Sequence, residues 1–223
     1  MLKRDNYTQS HIMNIRVQTG ADPAIIERTV FAFGLLEAIA KAGMSFIFKG
    51  GTSIMMLLKE PRRLSTDIDI LVKPGTDIDD YIQKAGEFFP FKRVIEDFRT
   101  AQSTIEKRHF RFYFTSPRNG EDFNVLLDVV FEDNVYLKVE EKEIVGNYLL
   151  TEGDNFTVKI PNKNCLLGDK LIASTFSKAE LPDVFEQAAE RYIIDCPRMI
   201  RYARRRNKES EISGYLKGVR DDA

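Results

Sequence analysis

Residues 46–72 read FIFKGGTSIMMLLKEPRRLSTDIDILV and predict a strand, a glycine turn, a short helix and a second strand. The apolar run Phe46–Phe48 is typical of a buried strand. Gly50-Gly51 then turns the chain, and either Thr52 or Ser53 can cap the helix that follows. The segment therefore has the order strand, glycine turn, helix and strand.

The second strand carries two acids at alternate positions. Asp67 and Asp69 share one face, whereas Ile68 and Ile70 take the other, because side chains alternate along a strand. Two like charges on one face repel by roughly 1 kcal/mol in water and more when partly buried. A divalent cation would remove this repulsion, since carboxylate oxygens are natural ligands of Mg²⁺. The alternative is an ordinary solvated strand face.

A third acid lies in the middle of an apolar strand. The alternating segment 109–114, the turn 116–120 and the return strand 123–131 predict a hairpin, and Asp128 interrupts its second strand. Beside the first acid pair, Asp128 would complete a site for two metal ions about 4 Å apart that act on phosphorus. It could equally be an edge-strand charge or a buried acid paired with a basic residue.

The glycine turn also suits a phosphate. Glycines let a phosphate approach the backbone, and the start of the helix presents free N–H groups and the positive end of the helix dipole. The hydroxyl of Thr52 or Ser53 could donate to the same phosphate. Alone, this segment could be an ordinary strand-to-helix turn, but with the acid pair it indicates nucleoside triphosphate chemistry.

Helical periodicity appears on both sides of the predicted strands. Helices are predicted from Asp22 to Gly43 and from a capping box at Thr76 and Asp79 to Phe88. Two more follow, near 166–176 and 183–206. The pattern predicts an α/β or α+β domain over residues 1–160 and a helical lobe over residues 161–223.

The amino-acid composition is that of an ordinary globular protein. The chain has 223 residues, 43% hydrophobic and 30% charged, with a formal charge of −1. Near-neutral charge means that a nucleic acid must meet a local patch rather than an overall positive field. The two cysteines, an N-terminus without a signal-peptide pattern and the lack of a membrane-length apolar run predict a cytoplasmic protein with no membrane contact.

The motifs together resemble one known family. Lys49-Gly50-Gly51-Thr52-Ser53, followed by Arg63-Leu64-Ser65-Thr66-Asp67-Ile68-Asp69, is similar to the pattern of the AbiEii/AbiGii toxin nucleotidyltransferases. The similarity continues through residues 107–114, 126–128 and 166–171, and covers about residues 25 to 200. The glycine and paired-aspartate motif is the specific part.

The resemblance implies a mixed β-sheet flanked by helices, with a C-terminal helical lobe that completes the active site. It favours the α+β class and makes the first of the two predicted domains the catalytic one. It implies transfer of a nucleoside monophosphate from an NTP, dependent on Mg²⁺ or Mn²⁺, and release of pyrophosphate. The implied metal ligands are Asp67, Asp69 and Asp128, and Lys170 and Asp195 complete the catalytic set. The implied nucleotide-binding residues are Gly50, Gly51, Thr52, Ser53, Arg63, Ser65 and Lys170.

The family resemblance also implies a biological setting. Its members are toxins of toxin–antitoxin or abortive-infection systems, and some add nucleotides to the 3′ end of tRNA. An RNA acceptor and a cognate antitoxin are therefore expected as partners. The alternatives are the same chemistry on an antibiotic or on a protein side chain, and a partner-binding module without catalysis.

Two features fit either a structural or a functional explanation. The basic residues between Arg198 and Lys208 suit a helix C-terminus, but could also contact an RNA backbone. His109 could touch a substrate or simply be packed into the sheet.

Overall fold

The computed structural model describes residues 1–58, 61, 64–98 and 105–166. The chain divides into two compact units, one formed by residues 1–133 and 141–160, the other by residues 134–140 and 161–223. The first unit contains the glycine turn and the three acids. The predicted division into residues 1–160 and 161–223 stays a prediction, and the predicted helices near 166–176 and 183–206 lie outside the described residues.

The described residues form five helices and seven strands. A 3-10 helix, Arg4–Tyr7, is followed by α1 (Gln9–Thr19), α2 (Pro23–Ala42), β1 (Ile47–Lys49), α3 (Gly50–Leu57), β2 (Asp67–Val72) and α4 (Asp79–Glu87). The remaining strands are β3 (Arg93–Glu96), β4 (Lys107–Thr115), β5 (Asp122–Phe131), β6 (Val139–Glu143) and β7 (Thr157–Pro161). This content confirms the predicted α+β class.

All seven strands belong to one mixed sheet, in the order β3-β4-β5-β2-β1-β7-β6. The central pair β2 and β5 is parallel, and so is the pair β1 and β7. The pairs β1–β2, β4–β5 and β3–β4 are antiparallel. This topology brings β2, with its two acids, between the strand that leads into the glycine turn and the strand that carries Asp128.

The sheet has one buried face and one open face. On β5 the odd-numbered residues from Val125 to Phe131 are buried, and the even-numbered ones from Asn124 to Val130 are half-exposed. The same alternation holds along β4. Helix α2 covers the buried face, where the rings of Phe31 and Phe114 stack with centroids 3.7 Å apart. Polar side chains therefore collect on the open face.

Helix α2 forms where the sequence predicts it. The Asp22 side chain accepts a hydrogen bond from the backbone N–H of Ala24, Pro23 occupies the first turn, and Gly43 ends the helix with φ of 88°. The predicted hairpin is also confirmed, since β4 and β5 pair in register from Lys107↔Val130 to Thr115↔Asp122.

Two predicted helix starts are wrong. Helix α3 begins at Gly50 rather than after a Thr52 or Ser53 cap, because both hydroxyls bond to backbone carbonyls elsewhere. Helix α4 begins at Asp79 without a capping box, since the Thr76 hydroxyl donates to the Lys73 carbonyl. The structure also adds elements that the pattern does not predict: α1, β3, β6 and β7.

A buried ion pair fixes the β4–β5 turn to α2. The side chain of Glu27 is 1% exposed, and its carboxylate accepts hydrogen bonds from Ser116 Oγ at 2.6 Å and Arg118 Nε at 2.9 Å. Arg118 Nη2 lies 2.9 Å from the same carboxylate. Both donors come from the turn that follows β4, so this acid holds the hairpin against the helix.

Replacing Arg118 by Ala is expected to lower the free energy of unfolding by about 2–4 kcal/mol. The substitution leaves a buried carboxylate with one donor, and breaking a buried pair costs about 3–5 kcal/mol. The loss is smaller than for a fully buried pair because the Arg118 side chain is 23% exposed. Urea unfolding should be compared with that of Lys3→Ala, which removes an exposed pair with Glu152 at 3.9 Å and should cost under about 1 kcal/mol. Equal losses would contradict the anchoring role of Glu27.

Candidate functional site

Four polar residues form a row across four neighbouring strands. Lys49 on β1 is the register partner of Asp69 on β2, and Asp69 is the partner of Asp128 on β5. Asp128 is in turn the partner of His109 on β4. Register partners present their side chains to the same face of a sheet, so all four lie side by side on the open face. The strand of the third acid therefore lies beside the strand of the first pair, which is the condition that the sequence leaves open, and metal binding by the three acids stays a prediction.

Asp67 lies on the same face, two residues before Asp69. It is exposed, and its carboxylate accepts a hydrogen bond from the Thr66 hydroxyl at 3.3 Å. Its register partner on β5 is Leu126, which pairs with Arg111 on β4. The two aspartates of β2 thus border a surface that continues across β5 and β4.

Asp128 has a specific partner in His109. The two side chains are joined by a hydrogen bond of 2.6 Å between His109 Nδ1 and Asp128 Oδ1. A carboxylate has no proton to donate, so Nδ1 is the donor. The His109 side chain is 14% exposed and that of Asp128 31% exposed. The sequence leaves open whether Asp128 pairs with a basic residue, and the structure shows this pairing. Asp128 also lies on the same face as the other two acids.

Gly50 packs directly under the carboxylate of Asp69. Its φ of 82° is a left-handed conformation that residues with a Cβ rarely adopt. A Cβ at this position would also overlap Asp69 Oδ2 and lie 2.8 Å from Asp69 Cγ. Both conditions require glycine. The structure shows the close approach of an aspartate to this glycine, and the predicted approach of a phosphate stays a prediction.

The start of α3 lies next to these acids. The helix begins at Gly50, and the side chain of the N-cap residue Lys49 forms no capping hydrogen bond. The N–H groups of a first helical turn have no partner within the helix, so they can bind an anion such as phosphate. Lys49 adds a positive charge to the same row as Asp69.

Thr52 and Ser53 have a structural use. Both are fully buried, and the Thr52 hydroxyl donates to the Asp67 carbonyl at 2.6 Å. The Ser53 hydroxyl donates to the Gly50 carbonyl at 2.9 Å. These bonds tie α3 to β2 and tighten the glycine turn. The predicted contact of either hydroxyl with phosphate stays a prediction.

The loop before β2 is held by two helices. The Thr29 hydroxyl of α2 donates to the Ser65 carbonyl at 3.0 Å, and the backbone N–H of Ser65 lies 3.2 Å from the sulfur of Met55 on α3. Ser65 is therefore fixed a short distance before Asp67. The predicted residues Arg63, Lys170 and Asp195 lie outside the described residues, as does the basic cluster from Arg198 to Lys208.

The carboxylates of this site are the type of ligand that Mg²⁺ prefers, but they do not form a complete set of metal ligands. Within the described residues, no three His, Cys, Asp or Glu side chains are close enough to hold a metal ion by themselves. Mg²⁺ does not require such a cage, because it keeps several waters and usually binds through one or two carboxylates plus substrate phosphates. Asp67 and Asp69, beside a helix start that can bind phosphate, meet that description.

Sequence reasoning misses Lys49 as a site residue and leaves the role of His109 open. Lys49 is visible only as the residue before the glycines, and His109 only as one polar residue of an alternating strand. Strand register places both residues in the site, and the period-two pattern of β4 predicts only the face on which His109 lies.

In the described part of the chain, no helix is long and apolar enough to cross a bilayer.

Comparison with known proteins identifies a family. Residues 34–185 match the family described as "Nucleotidyl transferase AbiEii toxin, Type IV TA system", and residues 165–221 match a family of unknown function. No curated protein matches the sequence significantly.

Two solved Helicobacter pylori structures are similar to this chain. JHP933 has a TM-score of 0.46 and 16% identity, over 74% of this chain and 69% of its own. A candidate nucleotidyltransferase has a TM-score of 0.45 and 13% identity, over 79% of this chain and 81% of its own. The family assignment depends on the sequence match, which spans well over half of the chain. This chain belongs to the AbiEii family, the nucleotidyl transferase toxins of type IV toxin–antitoxin systems.

Proposed function

We propose that this enzyme transfers a nucleoside monophosphate from an NTP to the 3′ end of tRNA or another RNA, with Mg²⁺ or Mn²⁺ as its metal. The observation that supports this most is the row Lys49, Asp69, Asp128 and His109 beside the start of α3. It combines carboxylates for a metal, N–H groups for phosphates and an acid for an acceptor hydroxyl. Family membership implies a cognate antitoxin as well.

The triphosphate is proposed to bind at the start of α3. The N–H groups of Gly50 and Gly51 face the β- and γ-phosphates, where the helix dipole favours negative charge. Lys49 adds a positive charge, and Thr52 and Ser53 shape the turn from below. By family resemblance, Arg63, Ser65 and Lys170 contribute to nucleotide binding, Lys170 also has a catalytic role, and Asp195 orients the base, the sugar or that lysine.

Asp67 and Asp69 are proposed to hold the metal ion, with Asp128 completing the site. When bound, the ion neutralises charge on the triphosphate and on the departing pyrophosphate. The protein residues do the positioning: Asp69 is fixed against Gly50, and Asp128 is fixed by His109.

The proposed reaction is an in-line displacement at the α-phosphorus. The acceptor 3′ oxygen forms a bond to this phosphorus while the bond to the bridging oxygen of the β-phosphate breaks. Pyrophosphate leaves with that electron pair, and the hydroxyl proton passes to Asp128 or to water. Catalysis then depends mainly on orientation and electrostatic stabilisation.

Each α-labelled NTP, incubated separately with the purified chain, Mg²⁺ and total RNA, tests this proposal. We expect label in the tRNA fraction with one or a few of the nucleotides, and none after EDTA addition. Label in an added antibiotic or in protein, with unlabelled RNA, would replace RNA by that acceptor. Absence of any labelled product, with no Mg²⁺-dependent NTP binding by calorimetry, would leave a partner-binding module without catalysis.

His109 is expected to act by holding Asp128, and matched substitutions separate this from general packing. The amide nitrogen of Asn can replace Nδ1 of His109, whereas that of Gln lies near the position of Nε2. His109→Gln should therefore lower kcat about 10–100-fold, the usual loss when the partner of a metal-binding group is removed. His109→Asn should stay within several-fold of the parent, and KM for the NTP should change little in both.

The measurement is steady-state transfer to RNA at saturating NTP for the parent and both variants. Equal losses in the Asn and Gln variants, or normal rates in both, would show that the hydrogen bond to Asp128 does not matter.

A further inference from the structure

The open face of β3 and β4 continues away from the row of acids. Along β4, the side chains opposite the buried phenylalanines are Lys107, His109, Arg111 and Tyr113. On β3, Ile95 is the register partner of Arg111 and Arg93 that of Tyr113. We use the name β3–β4 face for Arg93, Ile95, Lys107, Arg111 and Tyr113. It borders Asp128 through His109.

The β3–β4 face has more positive charge than its own acids neutralise. Arg111 pairs with Asp97 at 2.9 Å, and Lys92 at the edge pairs with Asp122 at 2.9 Å. The hydrogen bond from Lys92 lowers the pKa of the Asp122 carboxyl, so this acid stays ionised and keeps its partner. Among the described residues, no carboxylate forms an ion pair with the exposed Lys107 or Arg93. Asp122 also attracts Arg93, but it is one carboxylate beside two cations, so the face keeps a net positive charge for an anionic ligand.

The face also offers flat and apolar groups. The guanidinium of Arg93 lies 4.4 Å from the ring centroid of Tyr113. Beside this pair, Ile95 is 45% exposed, and Phe98, which follows the strand, is 87% exposed. Aromatic rings and arginine planes on a sheet surface are the groups on which single-stranded bases stack, and comparable sheet faces hold two or three bases.

We propose that the β3–β4 face receives the single-stranded end of the RNA acceptor. Bases lie against Tyr113, Arg93 and Ile95, backbone phosphates lie near Lys107 and Arg93, and the terminal hydroxyl reaches Asp128. The seven residues from Lys107 to Tyr113 span about 20 Å at the usual rise of a strand, a length that suits a few nucleotides. The inference rests on the proposed transfer to RNA and adds the path by which the acceptor arrives.

The geometry favours a nucleic acid over a protein for this face. A protein interface is typically depleted of lysine in its centre, whereas a polyanion is held by lysines and arginines that neutralise its phosphates. The order of the groups across the sheet also fits. The β3–β4 face lies on one side of Asp128 and Asp69, and the start of α3, where the triphosphate is proposed to bind, lies on the other side.

Binding of a short fluorescein-labelled single-stranded RNA, followed by anisotropy without NTP, tests the proposal on the full chain. The double variant Arg93→Ala/Tyr113→Ala should bind this RNA about tenfold more weakly, which corresponds to the loss of one stacked base. Lys107→Glu should weaken binding and reduce the salt dependence by about one released ion. Lys84→Ala on α4, also an exposed cation, should behave like the parent.

Thermal unfolding of each variant separates a folding defect from a binding defect, and Lys107→Glu changes only an exposed side chain. RNA binding by both face variants at the parent affinity would overturn the proposal and leave the face to a protein partner. An equal loss in Lys84→Ala would overturn it in favour of non-specific attraction.

Calorimetry with Mg²⁺ and NTP distinguishes the proposed transfer to RNA from the proposed RNA-binding surface. The variants of the β3–β4 face should still bind Mg²⁺ and NTP like the parent. If the parent binds RNA through this face but labels no RNA, transfer to RNA is wrong and the binding surface stands. If the parent labels RNA and the face variants keep both RNA affinity and KM for RNA, the surface is wrong and transfer stands.

Discussion

Asp69→Asn is expected to lower the rate of nucleotidyl transfer at least about a thousandfold and to leave the fold intact. Removing one preorganised electrostatic group from an active site typically costs about a hundred- to a thousandfold, and here the lost charge is also a proposed metal ligand. The amide keeps the shape of the carboxylate against Gly50, so packing is preserved. Transfer of label from NTP to RNA measures the effect.

The same substitution should not lower stability. Asp69 and Asp128 are register partners on neighbouring strands, about 4.8 Å apart in backbone spacing, and their repulsion is about 1 kcal/mol in water and more when shielded from solvent. Lys49, the register partner of Asp69 on the other side, offsets part of this repulsion, so urea unfolding of Asp69→Asn without metal should show a free energy of unfolding close to that of the parent.

Asp80→Asn on α4 makes the identical chemical change at an exposed position away from the row and should retain activity. A rate for Asp69→Asn within tenfold of the parent would refute the metal-binding role. A large loss of stability would show that the carboxylate is held for structural reasons.

Local sequence pattern is sufficient for the elements that carry the site. The residue types alone predict Asp22 and Gly43 as the ends of helix α2. The run of three apolar residues Phe46–Phe48 predicts a strand at the position of β1. The common face of Asp67 and Asp69 follows from the period of a strand. These are properties of neighbouring residues, so no knowledge of distant contacts is needed.

Strand register could not be derived in the same way. The approach of Asp128 to Asp69 requires β2 and β5 to pair in parallel at one specific offset, and that pairing joins residues far apart in sequence. Shifting the offset by one residue would move Asp128 to the buried face. His109 depends on a second register, between β4 and β5, which is why the sequence leaves its role open.

The errors at helix starts have a common cause. A hydroxyl near a turn can cap a helix, bond to the backbone of its own turn or bond to another strand, and these options have similar energies. The Thr52 hydroxyl bonds to a distant strand, and the Ser53 hydroxyl bonds to a carbonyl of its own turn. Residues such as Lys170 and Asp195 carry no local signal at all, because a lysine or an aspartate on a helix is usually solvated; only family resemblance suggests them.

Gly50→Ala is expected to cost both stability and activity. The left-handed backbone conformation at Gly50 should cost a residue with a Cβ about 1–2 kcal/mol. The added Cβ would also overlap the Asp69 carboxylate, which must turn away from its position in the row. A displacement of about 1 Å in a reacting group can cost roughly a hundredfold in rate. We therefore expect at least that loss in transfer per folded molecule.

Gly75→Ala supplies the matched control. Gly75 has a φ of 77°, and a Cβ there would meet nothing within 4 Å, so the backbone cost is present without the overlap. Gly75→Ala should lose about 1–2 kcal/mol and keep full activity. In a double-mutant cycle, Gly50→Ala should cost less on an Asp69→Ala background than in the parent, since the clashing carboxylate is gone, but more than Gly75→Ala, because the Asp69 Cβ remains 2.9 Å from the added methyl group. If the cost of Gly50→Ala is the same with and without the Asp69 carboxylate, the packing of this aspartate over the glycine turn does not determine the site, and the turn serves phosphate alone.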